Sequence, residues 1–526
     1  MLDSAGVLIG IGLYFAGMIF IGYIMKNKNK GAEDFLVGGR SFNMFFNTGT
    51  LVACLLGGTV VIALPGVLYS HGIWDGALYY GGLISFGGVL CLIICGLFFM
   101  KPLWKMKLLS LGDFYYQRFG KVTGVIATVM ISSTFIFWIA VQILTFAKVG
   151  TSLVGLSLTT WVIIAMTVIC SYTVLGGLWA VCVTDIVQVI IVAAGLIVLT
   201  PIAIYYLGDN NLAEGWNTLT ATIPQEKINM LPDSASGADA KGWLAWMAAW
   251  MVMGLGSVAS PDLLQRAFSA NSGKTARNSA LVAAAITFVL FVVTVVLAFS
   301  CMSMIAKGSL SPHAVEQIAH DNELLVPVMF QDIMPVPLVA TFLGACLSAV
   351  MSAAATANIA LSGLISKNII QDLFMPKIGS RQLMQLTRVI IVLVGLFAAY
   401  LSLTVDSALT LTNFGFDLIL SCLFIPMALG IYWKKANGYG AVAAMLGGIA
   451  VRVGLCGLIN GFTMQSIAKP DTTWFYFTVA GPVVSLICML TVSLLTHKRA
   501  MRKRVVEEEQ IEEWSESPVT VNVKSN

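Results

Sequence analysis

A cation-binding helix face is predicted within residues 343–363, LGACLSAVMSAAATANIALSG. Four residues are spaced i, i+3, i+4 and i+7, which places them on one face of a helix. They are Ala349, Ser352, Ala353 and Thr356. Most small residues of this segment are typical of close packing between membrane helices. The hydroxyls on this one face, however, would offer a hard cation the oxygen ligands that it prefers.

Asp185, in the segment YTVLGGLWAVCVTDIVQ, is the second residue that could do chemistry. It lies near the start of an apolar span, and an ionisable group at membrane depth is costly and usually functional. It would bind an ion or carry a proton. The alternative is a structural acid that nearby hydroxyls or a charged neighbour hold in place.

Other charged residues in apolar segments have simpler interpretations. Asp262 and Arg266 are spaced i, i+4 and predict an ion pair near the membrane interface. Asp417 is expected to line a cavity or to cap a helix break. Arg452 is interpreted as a structural partner or as a residue that snorkels, and Lys148 as a residue that snorkels.

Two interrupted segments must position these groups. Residues 44–70 are apolar and long enough to span a bilayer, but they contain Gly57-Gly58-Thr59 and then Pro65-Gly66. Glycine and proline weaken or interrupt helices. One such segment alone is typical of a kinked packing helix. A second interruption, GLGSVASP at 254–261, makes a pair, and paired breaks predict a transporter site near the bilayer midplane.

Composition predicts an all-α polytopic membrane protein. Of the 526 residues 58% are hydrophobic and 11% are charged, with a mean hydropathy of +0.87, whereas soluble domains carry about 25% charged residues. The ten cysteines fall in apolar spans, and Cys91 and Cys95 lack a third metal ligand nearby. Because no basic patch and no nucleophile–base or metal constellation is present, we expect neither nucleic-acid binding nor an enzyme. No cofactor is expected.

Hydropathy predicts 13 membrane spans. They are 4–25, 44–70, 75–100, 121–152, 156–176, 180–206, 243–268, 276–306, 333–368, 381–404, 409–433, 436–460 and 473–496. Spans two to six and seven to eleven each open on an interrupted segment, which suggests a five-plus-five inverted repeat. The predicted units are a first helix and loop (1–43), a first repeat (44–206), an outer loop (207–242), a second repeat (243–433), two peripheral helices (434–496) and a tail (497–526).

Lysine and arginine cluster on one side of this arrangement, for example at Lys101, Lys105 and the tail segment HKRAMRKR. The positive-inside rule then places the amino terminus outside and the tail in the cytoplasm. We expect a multi-pass protein of the plasma (inner) membrane, in contact with the lipid bilayer.

Several blocks of the sequence resemble the sodium/solute symporter family. They are DFLVGGRS at 34–41, ALPGVLYSHGI at 63–73, YTVLGGLWAVCVTDIVQ at 172–188, AVMSAAATAN at 349–358 and NGYGAVAAMLGG at 437–448. The chain looks most like the high-affinity choline transporter subgroup, through FFMKPLWKM at 98–106, PVMFQDIMPV at 327–336 and YGAVAAMLGGIAVR at 439–452. The resemblance implies a LeuT-type inverted-repeat fold and sodium-coupled import of a small organic solute by alternating access.

The resemblance also implies a main sodium site. Its ligands would be the backbone carbonyls of Ala53, Leu56 and Ala349 and the hydroxyl of Ser352. The family usually has a second hydroxyl where this chain has Ala353. A second site would use Asp185 and hydroxyls near Thr356, where Ala355 again lacks one.

We expect the substrate pocket where the two broken helices meet. Its predicted residues are Leu55, Gly58, Tyr79, Trp138, Ser257, Ser260 and Phe414. The choline transporters use an aromatic cage, which suits a quaternary ammonium, and of that cage Trp138 is kept here. Leu55, Ile84 and Ser260 stand where the subgroup has aromatic residues, so the resemblance extends to the scaffold and not to the full choline cage. The expected solute is an amine, a betaine or an amino-acid-like molecule. The alternatives are proton coupling through Asp185 and a transporter-like sensor or channel that accumulates no solute.

Overall fold

A computed structural model describes residues 4–79, 87–228, 240–404, 408–461 and 474–516. The regular elements of these residues are helices, and one isolated parallel bridge joins Phe42 to Ala270. The first half contains α1 Ser4–Met25, α2 Ala32–Val37, α3 Met44–Leu55, α4 Leu64–Tyr79, α5 Gly87–Ile94, α6 Met100–Lys105, α7 Leu111–Phe119, α8 Lys121–Val154, α9 Leu158–Leu207, α10 Leu212–Thr222 and α11 Gln225–Ile228. The second half contains α12 Ala240–Leu255, α13 Pro261–Ser269, α14 Gly273–Lys307, α15 Pro312–His320, α16 Leu325–Ile333, α17 Val336–Leu364, α18 Ser380–Ser402, α19 Ala408–Ile419, α20 Ile425–Tyr432, α21 Gly438–Ile449, α22 Cys456–Asn460 and α23 Trp474–Glu516.

Eleven helical stretches of the described residues are long and apolar enough to cross a membrane. The count is up to 12 when the bent pair Met44–Leu55 and Val60–Ile73 is taken as one span. Helices suit this solvent because they satisfy every backbone hydrogen bond within one segment. The chain is therefore a multi-pass helical membrane protein, while the predicted total of 13 spans and the inverted repeat stay predictions.

Helix α9 is one element where we predicted the two spans 156–176 and 180–206. Its 50 residues would extend about 75 Å, more than twice the hydrocarbon thickness of about 30 Å. Gly177 leaves helical geometry with φ 57° and ψ −149°, a conformation that favours glycine. The helix therefore changes direction at Gly177, between the two predicted spans.

The predicted first interruption is present. α3 ends at Leu55, Leu56 has non-helical φ −84° and ψ 50°, and the two helical parts meet at 52°. A π-helical turn, Thr59–Ala63, leads into α4. Pro65 follows shortly after this π-helical turn and keeps helical geometry, whereas Gly72 leaves it with φ 72° and ψ −170°.

The predicted second interruption is also present. α12 ends at Leu255, a 3₁₀ turn covers Gly256–Ala259, and Ser260 is extended at φ −80° and ψ 135°. Pro261 then starts α13, where its fixed φ suits the first helical position.

The core of the molecule surrounds α17. In the apolar stretch Pro337–Phe374, 78% of the most apolar window is buried, compared with 17% for Ile9–Lys28 and 33% for Phe475–Arg499. Small residues explain this position, since they let neighbouring backbones approach closely. The terminal spans are peripheral, and the face predicted to bind a cation lies at the centre.

Lys148, predicted to snorkel, instead forms ion pairs. Its Nζ lies 2.7 Å from Glu323 Oε2 and 3.1 Å from Asp321 Oδ2. The adjoining turn rests on α4, because a Cβ at Gly66 would lie 2.2 Å from the carbonyl oxygen of Asn322. The interpretation of Lys148 was wrong because its partners lie far away in the sequence.

Candidate functional site

A fully buried cluster surrounds Asp185. Ser352 donates its hydroxyl hydrogen to Asp185 Oδ1 at 2.6 Å, and Thr356 Oγ1 lies 3.2 Å from Oδ2. Arg266 Nη2 lies 3.0 Å from the same Oδ2 and donates to Thr356 Oγ1 at 3.0 Å. We call Asp185, Arg266, Ser352 and Thr356 the Asp185 cluster. The carboxylate therefore has a cation of the protein itself as its partner.

The predicted Asp262–Arg266 pair is wrong. Arg266 reaches across to Asp185 on α9, and the Asp262 carboxylate accepts a hydrogen bond from the Leu263 N–H at 2.7 Å. Within the described residues, no lysine or arginine nitrogen lies within 4.0 Å of that carboxylate. Among the described residues, the two acids thus differ in direct contact, because a guanidinium nitrogen lies 3.0 Å from Asp185 and no such nitrogen lies within 4.0 Å of Asp262.

The first helix break packs against the face of α17 that is predicted to bind a cation. A Cβ at Gly57 would lie 3.1 Å from Ala353 Cβ, and one at Gly58 would lie 2.4 Å from Val350 Cγ2. The carbonyls of the last helical turn lack the N–H partners that a continuing helix would supply, and Ala53 belongs to that turn.

The predicted sodium ligands are all buried, and the helices that carry them touch. These residues are Ala53, Leu56, Ala349, Ser352, Ala353, Asp185 and Thr356. Because the Ser352 hydroxyl gives its hydrogen to Asp185, its oxygen lone pairs remain for a cation. The donor set of carbonyls and one hydroxyl fits a hard cation. At the Asp185 carboxylate, by contrast, the Arg266 guanidinium already stands where a second cation would bind.

Gln142 on α8 is a residue of this region that sequence reasoning missed. Its Oε1 accepts the Gly58 N–H at 3.1 Å, and its Nε2 has no hydrogen-bond partner among the described residues. The buried hydroxyl of neighbouring Thr145 has none either. The available signal was an amide side chain in the middle of the apolar run FIFWIAVQILTF, since polar groups at membrane depth are rare.

A narrow cavity lies between the two helix breaks, and we call it the central cavity. It is lined by Cys54, Leu55, Val60, Gly88, Trp138, Met253, Ser257, Ser260, Asp262, Leu263, Phe291 and Phe416. The volume open to the centres of water molecules is about 30 Å³, enough for about two waters. A larger solute therefore requires the surrounding helices to move apart.

Two features of the central cavity can recognise a solute. The rings of Trp138 and Phe416 meet edge to face with centroids 5.5 Å apart, and aromatic faces attract cations. The indole Nε1 of Trp138 is buried and has no hydrogen-bond partner in the described structure. Together with the Asp262 carboxylate, the cavity offers one negative charge, an aromatic pair and one unused N–H donor.

Four predicted substrate residues line this cavity, namely Leu55, Trp138, Ser257 and Ser260. Gly58 contacts α8 and α17 instead. Phe414 lies in a separate cluster with Phe137, Leu418 and Val453, beneath the Arg452 guanidinium. Phe416, two residues further along the same helix, lines the central cavity instead, and a role for Phe414 in substrate binding stays a prediction. The side chain of Tyr79, and all of Ile84, lie outside the described residues.

Asp417, a further buried acid, makes structural contacts. Its Oδ2 forms an ion pair with Arg452 Nε and accepts the Thr478 hydroxyl at 2.7 Å. The interpretation of Arg452 as a structural partner is confirmed. These contacts tie α19 to the two peripheral helices, so Asp417 does not line the central cavity.

The fold and the site define a membrane transporter built around two interrupted helices. Residues 35–448 match the model of the Sodium:solute symporter family, and the chain belongs to that family. The resemblance that the sequence blocks indicated is thereby confirmed.

Several relatives are transporters. The high affinity choline transporter 1 of Homo sapiens is 23% identical over 457 residues, covering 85% of this chain and 76% of that protein. The osmoregulated proline transporter OpuE of Bacillus subtilis is 24% identical over 502 residues, covering 94% and 96%. The sodium/proline symporter of Haemophilus influenzae is 24% identical over 512 residues, covering 93% and 95%. These relatives are transporters and not enzymes.

Solved structures share the fold. The substrate-bound, outward-open state of a Na⁺-coupled sialic acid symporter has a TM-score of 0.76 at 18% identity, covering 94% of this chain and 98% of that one. Mhp1, a nucleobase-cation-symport-1 family transporter, has a TM-score of 0.53 at 15% identity, covering 90% and 95%. The architecture is therefore that of the LeuT-like symporters.

Proposed function

We propose that this protein is a sodium-coupled symporter that imports a small organic solute carrying an amine, by alternating access across the plasma membrane. The observation that carries the substrate class is the Asp262 carboxylate. Among the described residues no lysine or arginine nitrogen lies within 4.0 Å of it, and it lines the same cavity as Trp138 and Phe416. A carboxylate beside two aromatic rings attracts an ammonium group by charge and by cation–π interaction.

The indole N–H of Trp138, which has no hydrogen-bond partner among the described residues, narrows the proposed class of substrate further. A buried donor without a partner is costly, and a solute oxygen would satisfy it. An ammonium and an oxygen acceptor in one small molecule describe an amino acid, a betaine or an amino alcohol. The relatives named for choline and proline support this class.

The coupling ion is proposed from the helix break. Sodium would bind between the carbonyls of the last turn of α3 and the Ser352 oxygen on α17, and a water would supply the ligand that Ala353 lacks. We place no second sodium at the Asp185 cluster, because Arg266 already neutralises that carboxylate. The same ion pair disfavours proton coupling through Asp185, since protonation would leave the buried Arg266 unpaired.

Uptake into proteoliposomes tests this function. The panel consists of choline, carnitine, a betaine, proline and a simple monocarboxylate, each with and without an inward sodium gradient. We expect sodium-driven accumulation of an amine and none of the monocarboxylate. Uptake that ignores sodium but follows an imposed pH gradient, and that Asp185→Asn abolishes, would contradict the proposal. Binding without accumulation would favour a sensor.

The proposed orientation has the amino terminus outside and the tail in the cytoplasm. A cysteine introduced by Thr520→Cys should resist an impermeant thiol reagent in intact cells and react after the membrane is opened. The background should be low, because nine of the ten native cysteines are buried and Cys488 is half-buried. Labelling in intact cells would reverse the orientation.

A further inference from the structure

A second and wider cavity lies away from both helix breaks, where α6 and α7 meet α20. We call it the basic cavity, and it is lined by Lys101, Pro102, Lys105, Met106, Phe114, Arg118, Gly430 and Ile431. The volume open to the centres of water molecules is about 450 Å³, compared with about 30 Å³ for the central cavity. The proposed transport function leaves this space without a role.

The charged residues that line the basic cavity are all positive. Three of the eight lining residues are lysine or arginine, and none is an acid. Lys101 and Lys105 are exposed, and in the described structure neither takes part in a hydrogen bond or an ion pair. They are spaced i, i+4 on α6, where like charges repel and destabilise the helix. A bound anion would remove this repulsion.

Arg118 provides a fixed cationic wall. Its Nε donates to the carbonyl of Gly430 at 2.7 Å, and its Nη2 donates to the carbonyl of Trp433 at 3.1 Å. These bonds cap the end of α20 and hold the guanidinium at the cavity. The site therefore combines one immobilised positive charge with two mobile ones.

Exposed apolar side chains border the basic cavity. Leu97, Phe98 and Tyr432 adjoin its residues along the chain, and they are 48%, 52% and 58% exposed. Tyr432 donates its hydroxyl to the carbonyl of Phe98, so this apolar surface is joined across the two helices. A ligand that fills the basic cavity can thus lay an apolar tail along the same surface.

We propose that the basic cavity binds the phosphate headgroup of an anionic phospholipid, with its acyl chains against Leu97, Phe98 and Tyr432. Basic pockets between membrane helices on the cytoplasmic side recognise such headgroups, and the lysine distribution predicts that this side is cytoplasmic. A free phosphate carries the same negative charge, but it has no apolar part that could contact the adjoining apolar surface. The lipid is therefore the occupant that fits both features.

Native mass spectrometry and thermal unfolding of the full-length protein in detergent test the proposal. The probes are phosphatidylglycerol, phosphatidylcholine and glycerol 3-phosphate. We expect phosphatidylglycerol adducts that phosphatidylcholine does not match, together with a rise in melting temperature. The double variant Lys101→Gln, Lys105→Gln should lose most of both effects, and Lys101→Arg, Lys105→Arg should keep them.

The matched control is Lys26→Gln, Lys30→Gln. It removes two exposed lysines of the same spacing from the same predicted side, outside the basic cavity, and should bind phosphatidylglycerol as the unchanged protein does. A lipid-free melting temperature equal to that of the unchanged protein shows that the Lys101/Lys105 variant is folded. Equal loss in both double variants, or unchanged adducts in the Lys101/Lys105 variant, overturns the proposal. Equal stabilisation by glycerol 3-phosphate would assign the site to a soluble phosphate instead.

Discussion

Asp185 and Asp262 are both buried acids, but their surroundings differ. Asp185 is held by a guanidinium and two hydroxyls, and its negative charge is used within the protein. Asp262 lines the central cavity, and its described hydrogen bond comes from the next backbone N–H. The arginine thus uses the charge of Asp185 within the protein, whereas the charge of Asp262 lies at the cavity, where we propose that it binds the ammonium group of a solute.

Arg266 decides between these two roles. It lies four residues after Asp262 on the short helix α13, yet its guanidinium turns to α9 and α17. The helix that follows the second break is thereby fastened to the centre of the core, while the start of the same helix faces the central cavity. A substrate bound at Asp262 would act directly on an element that is tied to the cation-binding face of α17.

The largest effect is expected from Arg266→Met. This change leaves the Asp185 charge buried without its partner, and breaking a buried pair in this way costs about 3–5 kcal/mol. Thermal unfolding in detergent should show a large fall in melting temperature. The double variant Asp185→Asn, Arg266→Met should recover part of that loss. A double variant no more stable than Arg266→Met would show that the pair does not act as a lock.

Asp262→Asn should leave the melting temperature nearly unchanged and weaken substrate binding. Removing one member of a desolvated charge pair costs about 2–5 kcal/mol, or roughly 30-fold or more in affinity. Binding of the best amine from the uptake panel, measured with radiolabelled ligand, checks this expectation. Asp417→Asn is a control for position, because that acid lies outside the central cavity. Its melting temperature is measured in parallel, since the change removes the partner of buried Arg452. Unchanged affinity in Asp262→Asn would remove the carboxylate from the substrate site.

Trp138→Ala should have a smaller effect. A cation–π contact is worth about 0.5–2 kcal/mol, so the affinity for an organic cation should fall by roughly 3- to 30-fold. A neutral or anionic competitor should lose much less. Phe414→Ala, which changes an aromatic residue outside the cavity, should spare binding. Equal losses for cations and anions would mean that Trp138 is a packing residue.

The two helix breaks could be predicted from residues next to one another in the sequence. The long-range partners of side chains, and the helix face on which a residue lies, could not. Glycine and proline weaken helices through local effects, so the breaks near Gly57 and Ser260 could be predicted from Gly57-Gly58 and from GLGSVASP in the sequence. The partner of Arg266 could not, because Asp185 is 81 positions away and the i, i+4 rule sees only near neighbours. Phe414 and Phe416 show the same limit, since two residues along a helix are separated by about 200°.

The hydroxyl-bearing face of α17 was predictable for a different reason. A helical period of 3.6 residues fixes which residues of one helix share a face, and both hydroxyls of that face, Ser352 and Thr356, do meet Asp185. What periodicity cannot supply is the identity of the group opposite. The sequence therefore predicted an oxygen-rich face, and the structure added the guanidinium that occupies one end of it.

Ser352→Ala tests the other end of that face. The variant removes the one side-chain oxygen of the proposed sodium site, so the sodium concentration for half-maximal uptake should rise several-fold. Thr356→Val is the control, because it removes a hydroxyl from Asp185 without touching the proposed sodium ligands. If both variants raise the sodium requirement equally, the effect comes from loosening the Asp185 cluster and not from a lost ligand.

Ala353→Ser should change the sodium requirement of uptake least, and the direction of that change tests where sodium binds. A Cβ at Gly57 would lie 3.1 Å from Ala353 Cβ, so a hydroxyl at position 353 would point into the space beside the first helix break. That oxygen could replace the water that we propose as a ligand. The sodium concentration for half-maximal uptake should therefore fall or stay unchanged, with the melting temperature measured in parallel to detect overpacking. A higher sodium requirement in a variant of normal stability would mean that sodium binds elsewhere than between the break and α17.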